Sequence, residues 1–274
     1  MPLEVTARAS HMCAPWIRLI GILGASLVAA GGLMAASCNA SVNASGDSPS
    51  NASATGVWSG KDSVSGLGMT ALINSAGQAT FIRSDGVQFV GSLQVSDSSL
   101  AVTVDGYTDF SATFGDGSNF GIGTLNGTVA TGSSLNATLK FTTNGGTAIS
   151  GSWSLSFQAL SNDASSTTTI SGNYIDSVTG TVLSISSAGV MTSQNASNHC
   201  VLNGAISTSD AAHDVYEVAF NYGNCAGAAA VLNGVQFAGL ATLNRSLSPS
   251  RITMAAVGAS STNKYGIVSF LNGS

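Results

Sequence analysis

Residues 135–142 read Leu135-Asn136-Ala137-Thr138-Leu139-Lys140-Phe141-Thr142, with an apolar residue at every odd position and a polar one at every even position. A period of two sends alternate side chains to opposite faces of an extended chain, so this stretch is a β-strand with one face buried and one in water. The spacing recurs. Trp153, Leu155 and Phe157 alternate with Ser154, Ser156 and Gln158, and Leu100, Val102 and Val104 repeat it. Gly, Asn, Asp and Ser stand between such runs, where turns need them. No window from 56 to 274 carries a convincing helical period.

The rest of the composition agrees. Only 8% of the 274 residues are charged, against roughly 25% in an ordinary soluble domain. Glu and Lys, which normally furnish helix surfaces, are confined to Glu4, Glu217, Lys61, Lys140 and Lys264. A net charge of −5 offers no basic stripe, which excludes a nucleic-acid partner. A hydrophobic share of 44% argues against disorder.

The strand pattern occurs twice. Gly56-Val57-Trp58 opens one half and Gly172-Asn173-Tyr174 the other. The segment from Thr70 to Gly77 resembles that from Val182 to Gly189, Gly91 to Ser99 follows as Gly204 to Ala212 does, and Leu125-Asn126-Gly127 recurs as Leu232-Asn233-Gly234. Matches in one order indicate an internal duplication, with modules at 56–160 and 170–274. Each holds about eight strand-like runs spaced as an antiparallel meander, and closing such a meander into a barrel removes its exposed edges. The expected fold is therefore all-β: two small eight-stranded barrel-like modules in tandem, behind an N-terminal signal helix.

That N-terminal segment is the strongest address on the chain. Arg18 precedes an apolar run over residues 19–36 that closes in Ala35-Ala36-Ser37-Cys38, the form of an export signal. Small residues before a cysteine resemble the lipobox of bacterial lipoproteins. The resemblance implies removal of residues 1–37, a diacylglyceryl group on the Cys38 thiol and acylation (palmitate, for example) of the freed amine. It departs from the commonest lipobox at Ala35, where Leu is usual. Asn39, in place of the Asp that retains such lipoproteins at the inner membrane of enteric bacteria, points to the outer membrane. Met12 is a second candidate start. Residues 38–55, rich in Ser, Asn, Ala and Gly, read as a flexible tether.

With Cys13 lost and Cys38 acylated, Cys200 and Cys225 are left as a pair, and an exported chain favours their disulfide. Val201 to Ser209 and Val215 to Asn221 flank the turn signal Asp210-Ala211-Ala212-His213-Asp214, which reads as a hairpin. Its centre places the two cysteines opposite each other at the open end, to within a residue or two.

The opening Gly-x-Trp also resembles the first motif of lipocalins and of small eight-stranded metalloprotease inhibitors exported by some bacteria. The resemblance covers three residues. It implies that Trp58, and Tyr174 in the second module, pack across a barrel end.

The sequence is poor in catalytic motifs. There is no Gly-x-Ser-x-Gly elbow and no His-Glu-x-x-His helix. The phosphate-loop look-alike from Gly56 to Lys61 has too few residues between its glycines. His199 and His213 are the only histidines after Cys38, and Glu217 the only glutamate. Asp105, Asp109, Asp116 and Asn119 could gather around calcium but read first as turn residues. The expectation is no catalytic residue, no metal and no cofactor. The chain reads as a non-enzymatic lipoprotein of the outer membrane, held by acyl chains on Cys38 and contacting an envelope protein or polymer through barrel surfaces or loops. Two alternatives are carriage of a lipid or other apolar molecule and inhibition of a protease. Inhibitors of that type insert their N-terminal segment, which here is the tether. Barrels this small nearly fill themselves with side chains, which weighs against a large ligand.

Overall fold

The computed structural model describes residues 51–176, 179–261 and 263–274; the signal segment, Cys38 and the tether up to residue 50 lie outside them. The described chain forms two closed eight-stranded antiparallel barrels in tandem.

The first barrel is built from β1 (Gly56–Asp62), β2 (Gly68–Ile73), β3 (Gln78–Arg83), β4 (Gln88–Ser92), β5 (Gln94–Ser96), β6 (Ser99–Tyr107), β7 (Phe120–Ala130), β8 (Ser134–Thr143) and β9 (Ala148–Phe157). β4 and β5 pair with β6 in one continuous register, Gln88 opposite Tyr107 and Val95 opposite Leu100, so they act as one strand interrupted at Leu93. The β1–β9 ladder closes the ring, with Trp58 opposite Phe157 and Asp62 opposite Trp153. Along β8 the stretch that set the fold alternates as its period requires: Leu135, Ala137, Leu139 and Phe141 are buried while Asn136, Thr138, Lys140 and Thr142 face solvent.

A 3₁₀ turn (Ala159–Asn162) and a one-turn helix (Thr167–Ile170) lead into the second barrel. It comprises β10 (Gly172–Asp176), β11 (Val182–Ile185), β12 (Val190–Gln194), β13 (Val201–Thr208), β14 (Tyr216–Gly223), β15 (Gln236–Asn244), β16 (Arg251–Ala259) and β17 (Lys264–Gly273), closed by the β10–β17 ladder. That seam is short. β10 pairs with β17 only over Tyr174 to Asp176, opposite Gly273 to Leu271.

The duplication is visible atom by atom at the second hairpin of each half, β2–β3 and β11–β12. Gly77 and Gly189 both take positive φ, near +80°, which only glycine adopts freely. Their carbonyls accept from Leu93 N at 2.7 Å and Ile206 N at 2.8 Å. A Cβ at either glycine would run into the carbonyl oxygen of that same partner. The match of Leu125-Asn126-Gly127 with Leu232-Asn233-Gly234, however, is not structural. Leu125 lies within β7, whereas Leu232 ends a 3₁₀ turn (Gly227–Leu232) ahead of β15, the strand that corresponds to β7. Gly-rich composition alone produced it.

The barrels pack side by side. Val57, Leu72 and Ile82 on the outside of the first bury against Val215, Leu240 and Ala255 on the outside of the second. This explains the unbroken apolar runs Ala71-Leu72-Ile73 and Met254-Ala255-Ala256, since a strand covered on both faces loses its alternation. Fully buried Gln88 donates from Nε2 to the carbonyls of Ala256 (3.2 Å) and Ile267 (3.3 Å), and Asn74 Nδ2 donates to Glu217 Oε1 at 2.9 Å.

Candidate functional site

Each barrel has a base and a rim. At the first base Trp58 is fully buried, donates from Nε1 to Ala54 O at 2.8 Å and meets the Phe157 ring edge-on at 5.1 Å. At the second, buried Tyr174 donates its hydroxyl to Ile170 O at 2.9 Å. Both residues bond to the carbonyl four positions upstream, so each ties the incoming chain across its barrel's end. Residues 51–55, read from sequence as part of the tether, are also fastened at the first base: Ala52 N donates to Asp97 O at 2.6 Å and Ser53 N to Thr131 Oγ1 at 2.8 Å.

The interiors above these bases differ. In the first barrel Phe81 and Trp153 lie 5.0 Å apart between centroids, Phe89 and Trp153 5.5 Å, Phe89 and Phe141 5.3 Å, and Phe114 and Phe141 5.5 Å. These rings fill the space beneath the rim. The ladder registers show what the second barrel carries instead. Trp58 faces Phe157 as Tyr174 faces Gly273, and counting back along β9 and β17 sets Ser269 in the place of Trp153. Gly91, opposite Ala79 on β3, matches Gly204, opposite Met191 on β12, which sets Leu202 in the place of Phe89 and Ser193 in the place of Phe81. The counterpart of Phe141 on β16 is Gly258. Four rings are thus replaced by two serines, a leucine and a glycine. What remains is a chamber of about 340 Å³, lined in part by Ser193, Leu202 and Ser269.

Two loops of equal length close the rims, residues 108–119 in the first barrel and 224–235 in the second. The first buries Phe114 in its own barrel, while its neighbour Phe110 reaches across to the second barrel, 6.2 Å from the Tyr265 ring. There Asp109 bridges to Gly266, and its Oδ1 accepts from Val268 N at 3.1 Å. The loop of the first barrel thus occupies the part of β17 that β10 leaves unpaired. The second loop contributes Ala229 and Leu232 to the chamber wall, and the Cys200–Cys225 disulfide pins it. That bridge sits one step beyond the last β13–β14 pair, Val201 opposite Gly223, where the hairpin reading expected it.

The chamber wall is mixed. Asp109, Asp176, Tyr222 and Asn195 stand at the rim ends of their elements, while Leu183 faces Ser193, Met254 faces Ser269 and Leu271 faces Asp176 along the ladders, with Ile267 beside the Asp109 contact. Burial, followed by the charges of Asp109 and Asp176, pushes the Tyr222 hydroxyl up to about 12. Thr179 N donates to Asp176 Oδ1 at 2.8 Å, which fixes that carboxylate.

The remaining sequence candidates lie elsewhere. Asp116 accepts from Ser118 and from the Thr143 hydroxyl, contacts that hold its carboxyl far below the usual range. Asp105 faces Lys264 at 3.5 Å, and Asn119 Nδ2 donates to Lys264 O. With Asp109 drawn to the second barrel, the four residues considered for calcium are each engaged separately. His213 pairs with Asp210 at 2.7 Å at the base of the second barrel, and His199 sits at positive φ in an exposed loop. Neither lines the chamber. Cys38 lies outside the described residues. No protein-family model matches this chain, and no curated protein matches it.

Proposed function

We propose that this chain is a non-enzymatic, lipid-anchored binding protein of the bacterial outer membrane whose second barrel takes up a small ligand. The chamber carries this reading. It lies where a duplicated barrel has exchanged three rings of its twin for Ser193, Ser269 and Leu202, all of which line it. Its volume of about 340 Å³ sits at the lower end of the roughly 300–1,000 Å³ typical of ligand pockets. A small wall that mixes apolar side chains with carboxylates, hydroxyls and amides suits one small amphiphile rather than a long lipid. Between contact through outer surfaces and carriage of a small molecule, the two binding roles expected from sequence, the chamber favours carriage. The N-terminal lipobox resemblance supports the anchor, and Asn39 supports the outer membrane.

The test is to purify the mature protein from cells, extract it with organic solvent and weigh the released molecules by mass spectrometry. Near-stoichiometric release of one small species is expected. Ser269→Trp and Ser193→Phe, which restore the rings of the first barrel, should purify without it. Extracts that do not differ between wild type and both folded variants would overturn the proposal.

A further inference from the structure

Resting on the reading of the chamber as a ligand site, we infer that its ligand carries an organic ammonium head, held beside Asp109 and Asp176, and a short apolar tail. Two carboxylates, Asp109 and Asp176, line the chamber, and none of the six lysines and arginines that follow Cys38 does. An anionic head, such as a fatty-acid carboxylate or a phosphate, would enter a place that already holds two carboxylates and, among the described residues, no cationic side chain in its wall, and like charges at close range disfavour binding. A cationic head finds the opposite.

Two aromatic side chains strengthen the assignment. Phe110 and Tyr222 line the same wall, and rings beside carboxylates are the recurring chemistry of ammonium recognition, because the negative face of each ring attracts a cation. Tyr222 is itself braced by Phe220 at 5.5 Å and Phe237 at 5.8 Å. Both carboxylates are held by backbone N–H donors, from Val268 to Asp109 and from Thr179 to Asp176, so the negative mouth is set before a ligand arrives. Leu183, Leu202, Met254, Ile267 and Leu271 in the same wall offer the apolar contact that a short hydrocarbon tail needs.

Three probes that share a tail separate the claims: octyltrimethylammonium, octanol and octanoate, titrated calorimetrically into the mature chain below their micelle concentrations. The ammonium probe should bind at least about tenfold more tightly than octanoate, the effect of a single favourable charge contact, and its binding should weaken with added salt. Asp176→Asn and Asp109→Asn should each reduce that preference while leaving octanol binding unchanged. If octanoate binds as well as the ammonium probe and Ser269→Trp abolishes both, the chamber stands as a binding site and the ammonium inference falls. If no probe binds, or binding survives Ser269→Trp, the chamber reading falls with it.

Discussion

Asp214 is fully buried at the base of the second barrel, where Oδ2 accepts from Thr242 Oγ1 at 2.8 Å and Leu243 N at 2.9 Å. Its Oδ1 and the facing Tyr216 hydroxyl each lack a well-formed partner. Burial outweighs the two donors and raises the pKa of the carboxyl above its ordinary value. The folded chain therefore keeps this proton at pH values where the unfolded chain has released it. With the folded value raised, ionisation opposes folding, and stability from this site falls as pH climbs from the unfolded value, about 4, through the folded one. Asp214→Asn retains an acceptor for Thr242 and Leu243, offers a donor to Tyr216 and cannot ionise. Urea melts across the weakly acid range should show a falling slope in wild type that flattens in the variant. The variant should be the more stable of the two at neutral pH, where wild type bears the cost of a buried charge. Equal slopes in the two proteins would remove Asp214 as their source.

The two rim loops show how one element is held in two ways. Phe114 anchors the loop of the first barrel in the ring cluster, while the second loop, which inserts Ala229, Leu232 and Val235 but no ring, is tied by Cys200–Cys225 and by Asn233, which exchanges two hydrogen bonds with the Cys225 backbone. The bridge closes a span of 25 residues, for which the chain-entropy estimate is roughly 3 kcal/mol. The double variant Cys200→Ser with Cys225→Ser should lose stability of that order. Hydrogen exchange should quicken most over residues 224–235 and leave 108–119 unchanged; uniform quickening over both barrels would show that the bridge does not act through this loop. The bridge was legible in sequence because a hairpin fixes its register through its turn, and so were the strands, through their period of two. The chamber was not. Nothing marks Ser193 or Ser269 as the counterparts of Phe81 and Trp153 until both ladders are laid out, and the false match at Leu232-Asn233-Gly234 blurred that alignment. The one hint was that Trp58 and Trp153 both fall in the first half while the second half has no tryptophan. The reach of Phe110 into the other barrel had no local signal at all, because it depends on how the outer faces pack.

At the scale of the two barrels, residues 51–55 and the rim of the chamber lie at opposite ends. The turn after β2 meets the base of the second barrel through Asn74 and Glu217, whereas the loop after β6 meets its mouth through Asp109 and Val268, so base lies beside base and rim beside rim. Residues 51–55 join at the base of the first barrel. An acyl anchor on Cys38, expected from sequence, would join the barrels on the base side, where residues 51–55 enter, and not through the rim of the chamber. Multiple acyl chains would make this attachment durable, since a single chain binds a membrane only marginally. The expectation is that cells fed a labelled fatty acid incorporate the label into this chain in the membrane fraction. Cys38→Ala should lose the label and leave that fraction. Because the chamber stands at the far end, the released variant should also keep the wild-type affinity for octyltrimethylammonium. An unlabelled wild-type chain in the soluble fraction would refute the anchor. A labelled wild type whose affinity for the probe drops in Cys38→Ala would instead show that the attachment end and the chamber are coupled, against the separation that the two barrels define.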